Sequence, residues 1–276
     1  MGTQIRPDIL TKQQICDYER AGFLILSRII DDGEVIKLRH AYDEIISKNV
    51  AVKGDTELGE ITRQILQPEG AHEVFRNNKA IDTARDIASQ VFGDHAAVAS
   101  SMLIYKPPKH PHATPWHQDM AYSQFPLTPA GEPIPLDRLQ FWVALDDVDE
   151  ETGCMHFLPG YHRKPLLAHK VASGSPGESN RLLALENPSK QVDLGKAVSA
   201  PLKCGGATVH NDGTPHFTPP NRSTDRHRRA YILNVTTVTV IRKKLCEMQK
   251  EELAGFLHTL SDTDREMFNE FETSSA

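Results

Sequence analysis

The sequence predicts a mainly β core flanked by helices, and three observations carry that reading. From about residue 96 to 240, short apolar runs alternate with clusters of Pro, Gly and Asp, the texture of an all-β region. Within it, Leu139, Phe141, Val143 and Leu145 alternate with Gln140, Trp142 and Ala144, a period of two that places the two sets on opposite faces of a strand. Outside it the spacing becomes helical: Val35, Leu38, Tyr42 and Ile45 make one face, and so do Ile81, Ala84, Ile87 and Val91.

Taken in order, Thr11 caps a helix from about Lys12 to Arg20, which Gly22 ends. The run Gly22-Phe23-Leu24-Ile25-Leu26 is short enough to be a buried strand. Asp31 or Asp32 caps a second helix, and a third runs from Lys79 to Phe92 with Gly93 as its stop. Strands are expected at Val98–Tyr105, Trp116–Tyr122, Leu139–Leu145, Cys154–Leu158, Ala200–Lys203, Ala207–His210 and Ala230–Val240. The stretch 172–180 (ASGSPGESN) reads as a surface loop, and Lys244–Phe271 as a charged helical tail. A length of 276 residues is compatible with one domain carrying appendages. The expected organisation is one domain over 1–276: a helical layer to about 95, a β-core from about 96 to 240, and a tail from about 241.

Composition excludes several classes. Hydrophobic residues are 39% and charged residues 25%, enough apolar side chain for a sizeable core. The net charge of −6 lacks the basic excess of a nucleic-acid binder. No apolar run approaches a membrane span, and Met1–Pro7 carries no apolar secretory core. The four cysteines are scattered without CxxC spacing, as reduced thiols of a cytoplasmic protein would be. Neither nucleic acid nor membrane is expected as a partner; a homodimer is compatible with the sequence, which does not fix the oligomeric state.

The chemistry-bearing residues are histidines, carboxylates and arginines. His117-Gln118-Asp119 places an imidazole and a carboxylate two apart, on one face if the segment is a strand. A third ligand from another strand would complete a two-histidine, one-carboxylate set, which leaves open positions on Fe(II). His210 and His216 are both available, and zinc also accepts such donors, though usually in tetrahedral sites. Downstream, Arg226, Arg228 and Arg229 lead into an apolar strand, and a guanidinium there suits a bidentate carboxylate.

Together these runs resemble the phytanoyl-CoA dioxygenase (PhyH) family of Fe(II)/2-oxoglutarate-dependent oxygenases. The resemblance extends from about Gly22 to Val235. It rests on Gly22–Leu26; on Met102–Pro108 (MLIYKPP); on Trp116-His117-Gln118-Asp119; on Trp142–Val148, Glu151–Cys154 and Leu158–Arg163; and on His216 with Pro220–Ser223 and Arg228-Arg229-Ala230 behind it. It implies a double-stranded β-helix, the cupin-like jelly roll. It also implies Fe(II) on His117, Asp119 and His216, with 2-oxoglutarate and O2 as cosubstrates. His210 fits the histidine that precedes the family's distal ligand. Arg228 matches the arginine for the far carboxylate of 2-oxoglutarate, one residue further from His216 than the usual spacing, so Arg226 and Arg229 stay open. Thr218, Met102 and Trp142 match cosubstrate positions; Gln64, or Arg63 beside it, falls where another contact lies.

The implied reaction oxidises an unactivated C–H of a small organic molecule in specialised metabolism, releasing succinate and CO2. Desaturation, ring expansion and epoxidation belong to the same kind of site. Halogenation does not fit, because Asp119 occupies the position that chloride takes in such halogenases. His156, Phe125 and Tyr105 are candidates for the substrate pocket, which the segments 60–75, 105–115, 120–137 and 165–195 would form. His110 and His112 are expected in a loop near its mouth, and His162 in a structural role. A regulatory binding protein on the same scaffold, or a metal-dependent cupin-like isomerase or hydrolase, would be the alternatives.

Overall fold

The period of two in the central strand sorts side chains between two cores. In the computed structural model, which describes residues 9–47, 54–59, 61–123, 129–133, 135–175 and 180–269, that strand is Arg138–Ala144. Leu139, Phe141 and Val143 pack with Leu38, Tyr42, Ile45, Ile81 and Ile87, so this face is covered by helices. Trp142 and Ala144 pack with Cys154, Met155, Phe157, Ala200, Ala230 and Ile232, and this face closes onto a second sheet. Both are driven by removal of apolar surface from water.

In chain order the elements are α1 (Lys12–Ala21), β1 (Phe23–Leu26), α2 (Asp32–Ser47), β2 (Asp55–Leu58), β3 (Thr62–Leu66), α3 (Lys79–Phe92), β4 (Ala96–Lys106) and β5 (Thr114–His117). Then come β6 (Arg138–Ala144), β7 (Met155–Phe157), β8 (His169–Ser173), β9 (Leu182–Leu185), α4 (Pro188–Gln191), β10 (Val198–Ala200), β11 (Ala207–Asn211), β12 (His216–Thr218) and β13 (Arg228–Thr237). Helices α5 (Val238–Leu245), α6 (Lys250–Thr259) and α7 (Asp262–Glu266) follow. One antiparallel sheet has the order β1-β11-β6-β13-β4-β3-β2, a second the order β10-β7-β12-β5, and β8-β9 form a hairpin. Two antiparallel sheets closed face to face over a shared core are the jelly roll that the sequence implied.

The start of the barrel depends on one glycine. Gly22 ends α1 at φ +84, and a Cβ there would lie 2.5 Å from His162 Nδ1 and 2.7 Å from Thr214 Oγ1. Its carbonyl accepts from Asn211 N at 3.1 Å and from Thr214 Oγ1 at 2.8 Å, which ties β1 to the turn leading into His216. His162 is buried against this glycine and has the structural placement expected of it.

Several element expectations are corrected. The segment Trp116–Tyr122 is not one strand: β5 ends at His117, and Asp119–Tyr122 form a 3-10 turn. The strand expected at Ala200–Lys203 lies earlier, at β10, with an isolated bridge between Val148 and Leu202 beyond it. The strand expected to reach Val240 stops at Thr237, whose hydroxyl accepts from Val240 N and so caps α5. The tail accordingly starts at Val238 and holds three helices among the described residues. β2, β3, β8, β9 and β12 were not anticipated; they are five residues or shorter, too short for periodicity to speak. Of the loop expected at 172–180, Ala172 and Ser173 belong to β8, and 176–179 lie outside the described residues. Among the described residues, no helix is long and apolar enough to cross a membrane.

Candidate metal centre

His216 stands directly across from His117 in the β12–β5 ladder, so strand pairing brings two imidazoles 99 residues apart in sequence to ring centroids 4.1 Å from each other. Asp119, one step into the 3-10 turn, completes the group: its Oδ1 lies 3.5 Å from His117 Nε2 and 3.6 Å from His216 Nε2. The three ligand atoms all lie within 4.8 Å of one another, a set able to hold one metal ion.

Hydrogen bonds behind the group aim each donor atom. His117 Nδ1–H donates to the Pro115 carbonyl at 2.7 Å, and His216 Nδ1–H to the Thr214 carbonyl at 3.0 Å. That assigns the proton to Nδ1 on both rings and leaves both Nε2 lone pairs free, as metal ligation requires. Asp119 Oδ2 accepts from Gln140 Nε2 at 2.9 Å and from His210 Nε2 at 3.2 Å, so Oδ1 is the oxygen presented to the cavity. Burial raises the Asp119 carboxyl, but the imidazoles of His216, His117 and His210 around it, with His210 Nε2–H donating directly, outweigh burial and hold the group well below the usual carboxylate range. Burial in turn holds His216 neutral, well below its ordinary value.

The break in the strand after His117 has a local cause. Gln118 has no solvent exposure; its Nε2 donates to the Gly213 carbonyl at 2.7 Å and its Oε1 accepts from Leu167 N at 3.0 Å. Its backbone N donates to His169 Nε2 at 3.0 Å, while His169 Nδ1–H donates to the Leu167 carbonyl at 2.8 Å. Burial pulls His169 down to about 4, which keeps that Nε2 an acceptor. The His-x-Asp pair therefore converges through a clamped turn and not through strand alternation.

A cavity of about 530 Å³ opens on the triad, lined on one side by Gln64, Met102, Trp142, Thr218 and Arg228. Arg228 is 1% exposed; its Cζ lies 4.7 Å from the Trp142 ring centroid, and its Nε and Nη1 have no hydrogen-bond partner. Burial pulls its guanidinium down to about 10. Its two neighbours are committed elsewhere. Arg226 pairs with Asp149 at 2.7 Å and Glu151 at 2.5 Å, and Arg229, on the opposite face of β13, pairs with Asp43 at 2.7 Å and Asp146 at 2.9 Å. Gln64 faces the cavity, whereas Arg63 pairs with Asp55 at 2.7 Å.

Two pocket candidates are corrected. Tyr105 points to the helix side, its hydroxyl 2.6 Å from His227 Nδ1 and its ring against Tyr42, because Met102 and Ile104 take the interior positions of β4. His156 lies on the outer face of β7, Nε2 3.1 Å from the Glu150 carboxylate, while Met155 turns into the cavity. Phe125 lies outside the described residues. His110 is buried, with Nε2 3.0 Å from Thr62 Oγ1. Sequence reasoning missed Gln140 and His169 as parts of this neighbourhood, and did not place Lys106 buried against Thr218. It also missed the far wall of the cavity, where Val240, Ile241, Lys244, Leu245 and Phe256 of α5 and α6 meet Arg138 and Asp212. The period-two pattern of β6 does put Gln140 beside Trp142 on the inner face, and was the one available signal.

A profile of the family described as phytanoyl-CoA dioxygenase (PhyH) matches residues 18–230. The chain belongs to this family. The peroxisomal phytanoyl-CoA dioxygenase of Bos taurus is 25% identical over 178 residues, 59% of this chain, and the chain spans only 50% of that protein's length. A probable alpha-ketoglutarate-dependent hypophosphite dioxygenase of Stutzerimonas stutzeri is 26% identical over 232 residues, 78% of this chain and 75% of the relative. Among solved structures, EvdO2 from Micromonospora carbonacea var. aurantiaca, crystallised with 2-oxoglutarate, superposes with a TM-score of 0.66 at 30% identity, covering 84% of this chain and 92% of its own. The family match ends at β13, so the cavity wall built by α5 and α6 lies beyond it.

Proposed function

We propose that this PhyH-family protein is an Fe(II)/2-oxoglutarate-dependent oxygenase that hydroxylates, or otherwise oxidises, an unactivated C–H of a small organic molecule, in specialised metabolism. The observation that carries the reading is the pairing, in one cavity, of three pre-aimed donor atoms with a buried guanidinium that lacks an anion. The donor set fits the metal: two neutral imidazoles and one carboxylate suit Fe(II) and leave positions for other ligands. The Arg228 fork fits the far carboxylate of 2-oxoglutarate, since a buried charge without a partner is costly. When bound, Fe(II) and 2-oxoglutarate supply the oxidising power: the keto acid and O2 give succinate and CO2, and one oxygen atom goes to the substrate.

The chain's own part is placement. His210 and Gln140 hold Asp119 Oδ2 and fix which oxygen faces the metal. Trp142 backs Arg228 and shields it from water. Leu58, Leu66, Ile232 and Phe256 give the remaining cavity an apolar lining suited to a partly apolar substrate. The test is turnover by purified protein supplied with Fe(II), ascorbate, 2-oxoglutarate and a panel of small organic compounds. Fe(II)-dependent formation of succinate, stimulated by at least one compound, is expected. A protein of this scaffold used only for binding would form none, and a zinc hydrolase or isomerase would act without the keto acid.

A further inference from the structure

We propose that Lys106 is a positioning residue for the far carboxylate of 2-oxoglutarate, acting through Thr218 and through its charge beside Arg228; this rests on the cosubstrate reading above. Lys106 closes β4 with no solvent exposure and is the cross-strand partner of Arg228 in the β4–β13 ladder. Lysine is almost never fully buried without a charged partner. Here its Nζ donates to Thr218 Oγ1 at 3.0 Å and to the Pro219 carbonyl at 3.0 Å, both neutral acceptors. Arg228 lies against the indole face of Trp142, and its Nε and Nη1 have no hydrogen-bond partner among the described residues. Two cations are thus buried on adjacent strands, each touching neutral groups, and a shared anion would relieve both. Burial and the nearness of Arg228 push the Lys106 ammonium well below its ordinary value, as expected for a site built to receive negative charge.

The contact with Thr218 adds direction. A threonine hydroxyl has one proton to give and lone pairs to receive with. Because Lys106 Nζ donates to this oxygen, the Thr218 proton is left for another acceptor, and Thr218 lines the cavity together with Arg228. Lys106 therefore sets the hydroxyl as a donor toward the place where the carboxylate would bind. Without it the hydroxyl can rotate and present a lone pair, which repels a carboxylate.

A purely structural strut for residues 218–219 would predict a different outcome, and one ligand comparison separates the two. 2-Oxopentanoate has the same keto acid and chain length as 2-oxoglutarate but carries a methyl in place of the far carboxylate. Binding of both acids to anaerobic Fe(II)-loaded protein is measured for wild type, Lys106→Met, Thr218→Val and the double variant. The wild type should prefer 2-oxoglutarate. Lys106→Met should weaken 2-oxoglutarate about tenfold, the scale of one hydrogen bond to a charged group, and leave 2-oxopentanoate within about twofold. Thr218→Val should show the same selective loss, and the double variant little more than either alone. Should Lys106→Met not fold, Lys106→Gln, which removes the charge and shortens the reach to Thr218, is read by the same selectivity. Equal weakening of both acids, or no change in either, overturns the role of Lys106 while the cosubstrate reading stands. A wild type with no preference for 2-oxoglutarate overturns both.

Discussion

Asp119→Ala is expected to empty the metal site and abolish turnover. Among the described residues three potential ligands converge there, and the two that remain would be the imidazoles of His117 and His216. A metal ion held there by two neutral donors would lack its one charged protein ligand, and affinity would fall with it. The loss extends further, because Gln140 and His210 would then face an emptied pocket instead of a carboxylate. Iron analysis of the purified variant, with succinate formation measured alongside, checks this. His210→Ala provides the contrast: it removes a hydrogen bond to Asp119 Oδ2 and not a donor atom, so a metal-affinity loss of about 10- to 100-fold with measurable turnover is expected. Full iron occupancy and activity in Asp119→Ala would refute the assignment of the centre. Abolished metal binding in His210→Ala with retention in His216→Ala would move the distal ligand by six residues.

Arg228→Ala is expected to raise the apparent KM for 2-oxoglutarate by about 10- to 100-fold while metal affinity survives. The range follows from about 1.5–3 kcal/mol for hydrogen bonds to a charged group, at about 1.4 kcal/mol per tenfold change. The neighbours should behave differently for stated reasons. Arg226 sits in an exposed pair with Asp149 and Glu151, and its loss should leave the constant unchanged. Arg229 ties β13 to α2 through Asp43 and to the turn after β6 through Asp146, so Arg229→Ala should lower thermal stability before it affects the constant. Titration of 2-oxoglutarate against the three variants distinguishes them. A rise confined to Arg226→Ala or Arg229→Ala would displace Arg228.

Legibility in the sequence followed the strength of each physical signal. The alternation in Leu139–Leu145 was readable because one face meets helices and the other the barrel, and it positioned Trp142 correctly. The cap at Thr11 and the stops at Gly22 and Gly93 bounded α1 and α3, and α3 has the limits expected from its spacing. His117 and Asp119 were recognisable as a pair, yet for the wrong local reason: the clamp on Gln118 by His169, Leu167 and Gly213 comes from segments about 50 and 95 residues away, which no local pattern displays. The same holds for Tyr105 and His156. Whether a strand residue faces in or out depends on its register with neighbours, and a shift of one residue reverses the answer. The relation of Lys106 to the cosubstrate side was not legible, because its meaning comes from Arg228 across the ladder. The wall supplied by α5 and α6 was hidden because a charged amphipathic tail reads as solvent-facing until it is packed.

The most direct test of the central claim is an anaerobic titration of 2-oxoglutarate into the protein with and without Fe(II), followed by the visible charge-transfer absorption of the chelated keto acid. One equivalent per chain is predicted to bind in the presence of Fe(II), with the absorption absent from Asp119→Ala and shifted to higher concentration in Arg228→Ala. Absence of the absorption from the Fe(II)-loaded wild type, or binding equally tight without metal, would contradict the account.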